Sequence, residues 1–259
     1  MRPRIVIAVL LAGCLAACGS PAPVTDPGTA ESLPQSDPAD SGTARVELAA
    51  RAALAEDYRF SALYTWDVQG RAPRSVVATV ATDGSWRVDV PGGALGGTAD
   101  VSIVQNPEGV FQCALPSATN SINPGCVRVA GIGKRIPDEY DPKVQRVFRQ
   151  WLTVFTNRQS PLSVVHALPL PGSQGKCFSV DGISASLSPP VDVGIYCYSE
   201  TGLLTAVRVN FGTLTLASAA AAPPKVDLPG PVTGGEPMGL SSPPPPPSLE
   251  PSTAPSGSA

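Results

Sequence analysis

Tyr58-Arg59-Phe60-Ser61-Ala62-Leu63-Tyr64-Thr65-Trp66-Asp67 is the stretch on which the fold turns. Alternate positions place Tyr58, Phe60, Ala62, Tyr64 and Trp66 on one face. A period of two with aromatics on one side is the pattern of a strand with one buried face. Beyond it, strands are expected at 75–82, 86–90, 100–105 and 110–115. They are separated by Asp83-Gly84, the glycine-rich 91–97 and Asn106-Pro107-Glu108-Gly109, all turn formers. Connections this short do not accommodate parallel crossovers, so the sheet reads as an antiparallel meander. Toward the N-terminus, 41–56 reads as an Ala-rich helix, capped by Ser41 or Thr43, with Val46, Ala49 and Ala53 along one face.

The period changes again at Asp141-Pro142, a capping residue followed by proline at the first helical position. Val144, Val147, Phe148, Trp151, Leu152 and Phe155 then recur at three-four spacing, with Lys143, Arg146, Arg149 and Gln150 on the other side. Ser160-Pro161 repeats the signal and predicts a second short helix to Ala167. Strands follow at 177–180, 194–199, 203–209 and 212–217, two of them joined by the turn Glu200-Thr201-Gly202. Strands, then helices, then strands define an α+β protein: an antiparallel sheet with helices packed on one face.

Composition sets the boundaries of that domain. The six Phe, three Trp and five Tyr all lie between Tyr58 and Phe211, whereas many of the 30 prolines crowd the C-terminus. Segments without aromatics and rich in proline cannot bury enough apolar surface to offset chain entropy. The folded domain is therefore expected at 44–222, between a spacer at 19–43 and a disordered Pro-rich tail at 223–259 that includes five consecutive prolines from Pro243 to Pro247. A net charge of −3 offers no basic stripe for nucleic acid. No apolar run beyond residue 20 approaches the ~20 residues of a membrane-spanning helix.

Residues 1–18 read as an export signal: Arg2 and Arg4, then the apolar stretch from Ile5. Leu11-Ala12-Gly13-Cys14 and Leu15-Ala16-Ala17-Cys18 both resemble the lipobox of bacterial lipoproteins. That resemblance implies a diacylglyceryl-modified cysteine at the start of the mature chain, anchored at the cell envelope on the extracytoplasmic face of the membrane. Cys18 is favoured over Cys14, because it gives the apolar core a more usual length and puts Gly19-Ser20 after the anchor.

Four cysteines remain: Cys113, Cys126, Cys177 and Cys197. An even number in an exported chain reads as disulfides. Cys113–Cys126 and Cys177–Cys197 are expected, since each pair lies within one locally connected strand unit. A zinc site fails for want of CxxC spacing, and no metal or cofactor is expected. His166 stands without a Gly-x-Ser-x-Gly elbow and reads as structural. Glu47, Glu56 and Asp57, like Asp138, Glu139 and Asp141, flank helix termini, where capping explains them. The glycine-rich 91–97 lacks the Lys-Ser/Thr of a phosphate loop. Nothing here marks an enzyme.

The aromatic strand after an N-terminal helix, the amphipathic helical middle, Tyr196-Cys197-Tyr198 with the hairpin into Gly202-Leu203-Leu204-Thr205-Ala206-Val207-Arg208-Val209, and the closing Val226-Asp227-Leu228-Pro229-Gly230-Pro231-Val232 together resemble the LolA/LppX-type lipoprotein-carrier superfamily. The resemblance implies a curved antiparallel half-barrel with helices packed on its concave face, and acyl chains held between the two. On the residues themselves, Phe148, Trp151 and Phe155 facing Tyr58, Phe60, Tyr64 and Trp66 across a gap would accept a hydrophobic ligand. The same aromatics packed on one another would be plain core. The expected function is thus a membrane-anchored lipoprotein that binds or carries a lipid, or, in the alternative, an envelope interaction module with a filled core and a protein partner that the sequence does not identify. The anchor is directly testable: Cys18→Ala is expected to abolish labelling by a clickable fatty acid, while persistent labelling would move the site to Cys14.

Overall fold

The computed structural model describes residues 38–117, 121–183 and 189–242. The candidate anchors Cys14 and Cys18, most of the spacer and the Pro243–Pro247 run lie outside these residues. The described chain begins with helix α1 (Pro38–Asp57), followed by a meander of six strands: β1 (Phe60–Asp67), β2 (Arg74–Val80), β3 (Trp86–Ala94), β4 (Ala99–Asn106), β5 (Gly109–Leu115) and β6 (Cys126–Ala130). A helical stretch ending in α2 (Gln150–Thr156) leads to a second meander: β7 (Leu162–Ala167), β8 (Lys176–Gly182), β9 (Gly194–Tyr198), β10 (Leu204–Val209) and β11 (Gly212–Ala220). All pairings among these strands are antiparallel and form one open 11-stranded sheet, ordered β6-β5-β4-β3-β2-β1-β11-β10-β9-β8-β7, with an isolated parallel bridge from Cys126 to Val232 at the β6 edge.

The alternation of β1 is as the sequence predicts: Phe60, Ala62, Tyr64 and Trp66 are buried and the intervening residues are not. Register carries that face across the sheet. Tyr64 sits opposite Val76 and Leu216, Trp66 opposite Leu214, and Phe178 opposite Tyr196. These residues form the main core together with α1 and α2, so both helices pack on the face that carries the β1 aromatics.

Four local expectations are corrected. Ser160-Pro161 does not start a helix: 162–167 is β7, paired along its length with β8. Its Val164-Val165 pair is β-branched, and the alternation of buried Leu162 and Val164 with exposed Ser163 suits a strand. The helix expected from Asp141 is instead a tight 3₁₀ turn at Val144–Phe148, broken at Arg149 (φ −138°, ψ −66°) before α2. At that break the Arg149 guanidinium donates to the Glu56 carbonyl at the end of α1, 3.0 Å away. In α1 the buried stripe is Ala44, Leu48, Ala52 and Ala55, while Val46 and Ala53 face solvent. The helix also begins at Pro38, inside the segment expected as spacer.

The fourth correction concerns the C-terminus, expected as a disordered tail from 223. Residues 223–242 are instead hydrogen-bonded to the sheet. Thr82 N donates to Pro223 O, Cys126 N to Pro231 O, Thr233 N to Cys126 O and Leu95 N to Gly239 O. Val226 and Leu228 cover Phe111, Cys113 and Cys126 on the face away from the helices. The segment needs no core of its own, because it satisfies backbone groups of the β6 edge and shields apolar surface already there.

Both expected disulfides are present, Cys113–Cys126 joining β5 to β6 and Cys177–Cys197 joining β8 to β9. Each links residues directly opposite in register. Gly202, in the β9–β10 turn, shows how closely α1 docks: with φ +88°, an added Cβ would lie 2.5 Å from Ala55 N. Non-reducing peptide mapping is expected to recover 113–126 and 177–197. Replacing Cys113 and Cys126 together by Ala should lower the urea unfolding free energy by about 3 kcal/mol.

Candidate functional site

The helices do not cover their face of the sheet evenly. α1 docks over the second meander, where Glu47 accepts from Lys176 Nζ (2.8 Å) and pairs with His166 Nε2 (3.1 Å). The hydrogen bond from Lys176 is the main cause holding the Glu47 carboxyl below its usual range, with His166 next. Arg51 donates to Glu200 O at 2.6 Å, and Arg45 to Asn157 O at 2.8 Å. Over β3, β4 and β5, by contrast, a cleft of about 510 Å³ remains. Trp86 of β3, Gln105 of β4, Val110 of β5 and Trp151 of α2 belong to its lining, with Pro189 and Pro190. Trp86, Val110 and Trp151 are themselves almost wholly buried and offer it only their edges.

Lys134, Arg135, Arg146 and Arg149 line the same cleft, against one lining carboxylate, Asp141. Asp141 is buried and organises its surroundings. One of its carboxylate oxygens accepts from Lys143 N (2.8 Å) and Gln145 Nε2 (2.6 Å), the other from Arg146 Nε (2.8 Å). This explains why Asp141 caps no regular helix: its acceptors are spent on a turn and on two side chains. Arg135 reaches Asp138 at 2.6 Å, and that hydrogen bond is the main cause of the lowered Asp138 pKa. Burial is the main influence on Arg149, pushing its pKa down; Arg59 adds to the effect, while Glu56 and Asp57 oppose it.

Of the seven aromatics expected around a ligand gap, Trp151 alone lines the cleft. Tyr64 and Phe148 pack against each other with ring centroids 5.0 Å apart, and Tyr64 OH donates to Leu204 O at 2.9 Å. Phe155 packs on Tyr196 at 5.0 Å, edge to face. Phe60 and Trp66 are buried in the same core, and Tyr58 lies half-buried beside Phe60. Burial pushes the phenols of Tyr64, Tyr196 and Tyr198 upward, as an apolar core must. The sequence reading missed Trp86, Gln105 and Val110, which belong to strands it had identified but not assembled. It also placed Arg146 and Arg149 on a solvent face. The readable signal was the excess of basic residues between Lys134 and Arg149, Lys134, Arg135, Lys143, Arg146 and Arg149 against Asp138, Glu139 and Asp141, in a chain of net charge −3.

Among the described residues no group of three or more His, Cys, Asp or Glu is placed to hold a metal ion, and no helix is long and apolar enough to cross a membrane. No protein-family model matches the chain, and neither does any curated protein.

The Asp141 knot yields a stability prediction. Arg146 has only 14% of its side chain exposed and Asp141 only 1%. Asp141→Ala would leave the Gln145 amide without its acceptor and the largely buried Arg146 guanidinium with only a 3.3 Å contact to the exposed Asp138 carboxylate, at a cost of about 3 kcal/mol. Urea denaturation should show that loss. Asp141→Asn, which keeps an acceptor for Lys143 N, should lose less; a cost under about 1 kcal/mol for Ala would mean the pair is effectively solvated.

Proposed function

We propose that the chain is an exported lipoprotein, anchored through Cys18 on the extracytoplasmic face of a membrane, whose domain binds a lipid or other hydrophobic molecule at the cell envelope. The observation that carries this reading is the cleft of about 510 Å³ whose lining includes Trp86 and Trp151, on the face where α1 and α2 pack. That volume lies in the range of small-molecule sites, and two indoles in its lining suit an apolar guest. In the half-barrel arrangement proposed by resemblance to LolA/LppX-type carriers, the helix-covered face is the concave one. The cleft is then the part of that concavity the helices leave open. The domain acts by binding and not by catalysis in this reading, and the N-terminal anchor holds it at the membrane.

A second reading, an interaction module with a filled core, draws support from the closed packing of Tyr64 on Phe148 and of Phe155 on Tyr196. The two readings part in one measurement. Native mass spectrometry of the full chain, gently extracted from membranes, is expected to show an adduct that disappears on denaturation and is depleted by Trp151→Ala. A bare mass in both proteins would favour the filled-core module.

A further inference from the structure

We infer that the cleft takes an amphiphile with a phosphate-bearing, negatively charged headgroup, an inference that rests on the lipid-binding reading and specifies its ligand. The apolar body would lie against Trp86, Val110 and Trp151, and the phosphate against the basic wall that includes Lys134 and Arg149.

The charge balance is the first ground. Four basic side chains and one carboxylate line the cleft of a chain whose net charge is −3. Such a local reversal of sign draws an anion in preference to a neutral guest.

The second ground is which of those cations are already engaged. Arg146 is held by Asp141 and Arg135 by Asp138. Lys134 is exposed, and its one described bond runs from its backbone N–H to Gly131 O. Arg149 spends Nη1 on the Glu56 carbonyl, which Arg59 Nη1 also approaches, at 2.8 Å. Two guanidinium groups therefore share one neutral acceptor, their mutual repulsion opposed by Glu56 and Asp57 nearby. A phosphate oxygen at Arg149 would supply a charged acceptor where the shared carbonyl is neutral. Charge-assisted bonds of guanidinium and ammonium to phosphate are among the stronger ones available to a protein.

The third ground is the join between the two chemistries. Arg149 and Trp151 are two residues apart, on either side of Gln150 at the start of α2, and all three line the cleft. Charged and apolar residues thus adjoin in the lining at the start of α2, as a molecule with a charged head on an apolar body requires. Free phosphate would satisfy only the charged residues.

The test is native mass spectrometry of the full chain released from a non-ionic detergent micelle. Dihexanoyl-phosphatidylglycerol, dihexanoyl-phosphatidylcholine and glycerol 3-phosphate are offered at equal concentration. The phosphatidylglycerol adduct is expected to exceed each of the other two by at least about fivefold, and to weaken as ionic strength rises. Lys134 lies on an exposed loop, so Lys134→Glu is expected to leave the thermal melting temperature unchanged. The substitution should cut that adduct at least about fivefold, and by clearly more than it cuts the zwitterionic phosphatidylcholine adduct. Arg149→Gln should act in the same direction. Equal binding of the two phospholipids, indifferent to Lys134→Glu, would overturn the anionic headgroup and leave lipid binding standing. Glycerol 3-phosphate binding as well as phosphatidylglycerol would overturn the amphiphile. No adduct from any of the three would remove the lipid-binding reading itself, and this inference with it.

Discussion

Everything in the sheet depends on the pairing of β1 with β11. The first meander ends at β6 and the second starts at β7, yet β6 and β7 are the two outer strands of the sheet. The halves meet only where the first strand of the chain lies beside the last, with Tyr64 opposite Leu216 and Trp66 opposite Leu214. Because side chains alternate with a period of two, that register decides which face of the second meander joins the core. A slip of one residue would turn Leu214 outward and bring its polar neighbours in. Two further bonds lock the join: Trp66 Nε1 donates to Phe211 O at 3.1 Å, and Tyr64 OH to Leu204 O at 2.9 Å. The long-range contact comes late in chain order, so the loop-closure cost of the whole domain falls on it.

The opposite face is organised by the disulfides. Cys113 and Cys126 lie in a small apolar cluster with Val104 and Phe111, roofed by Val226 and Leu228. Cys177 and Cys197 lie in another with Leu170 and Ala206. Each half of the sheet thus carries a covalent cross-link under its own patch of cover, remote from the helices. The cross-links tie neighbouring strands within a half and leave the β1–β11 join to non-covalent packing. The chain from 223 to 242 then continues around the β6 edge to the helix side, where Met238 exchanges hydrogen bonds with buried Gln112. That edge would otherwise present unpaired backbone groups.

The cleft follows from how few helical residues are available to cover so wide a sheet. α1 is tied to the second meander by Glu47, Arg51 and the close approach of Gly202. α2 has only seven residues. The inner surface of β3–β5 is therefore met by irregular chain, and the Asp141 knot supports that chain in place of helical hydrogen bonds. Buried acceptors there are spent on local polar groups, and the basic side chains beyond them line the open space.

Several of these features could be read from residues alone. The alternation of 58–67 identified a one-faced strand, the turn residues identified the meanders, and the local spacing of four cysteines identified both disulfides, because period, turn chemistry and short loop closure are properties of neighbouring residues. The same local evidence misassigned 162–167, where an apolar run of strand length also fits a helix and only pairing with β8 decides. It likewise misjudged the buried stripe of α1: an Ala-rich helix has little contrast between its faces, and the docking surface selects one. Composition alone could not reveal that 223–242 binds the sheet, since what holds it are backbone groups and apolar patches belonging to other strands. The cleft lay furthest from view. Trp86, Val110, Lys134 and Trp151 are separated along the chain, and only the register of the strands and the shortness of α2 bring them together. Local residue chemistry determined most of the elements this protein has; the closing of β1 on β11 and the limited reach of its helices, both matters of long-range contact, decided where the cleft lies.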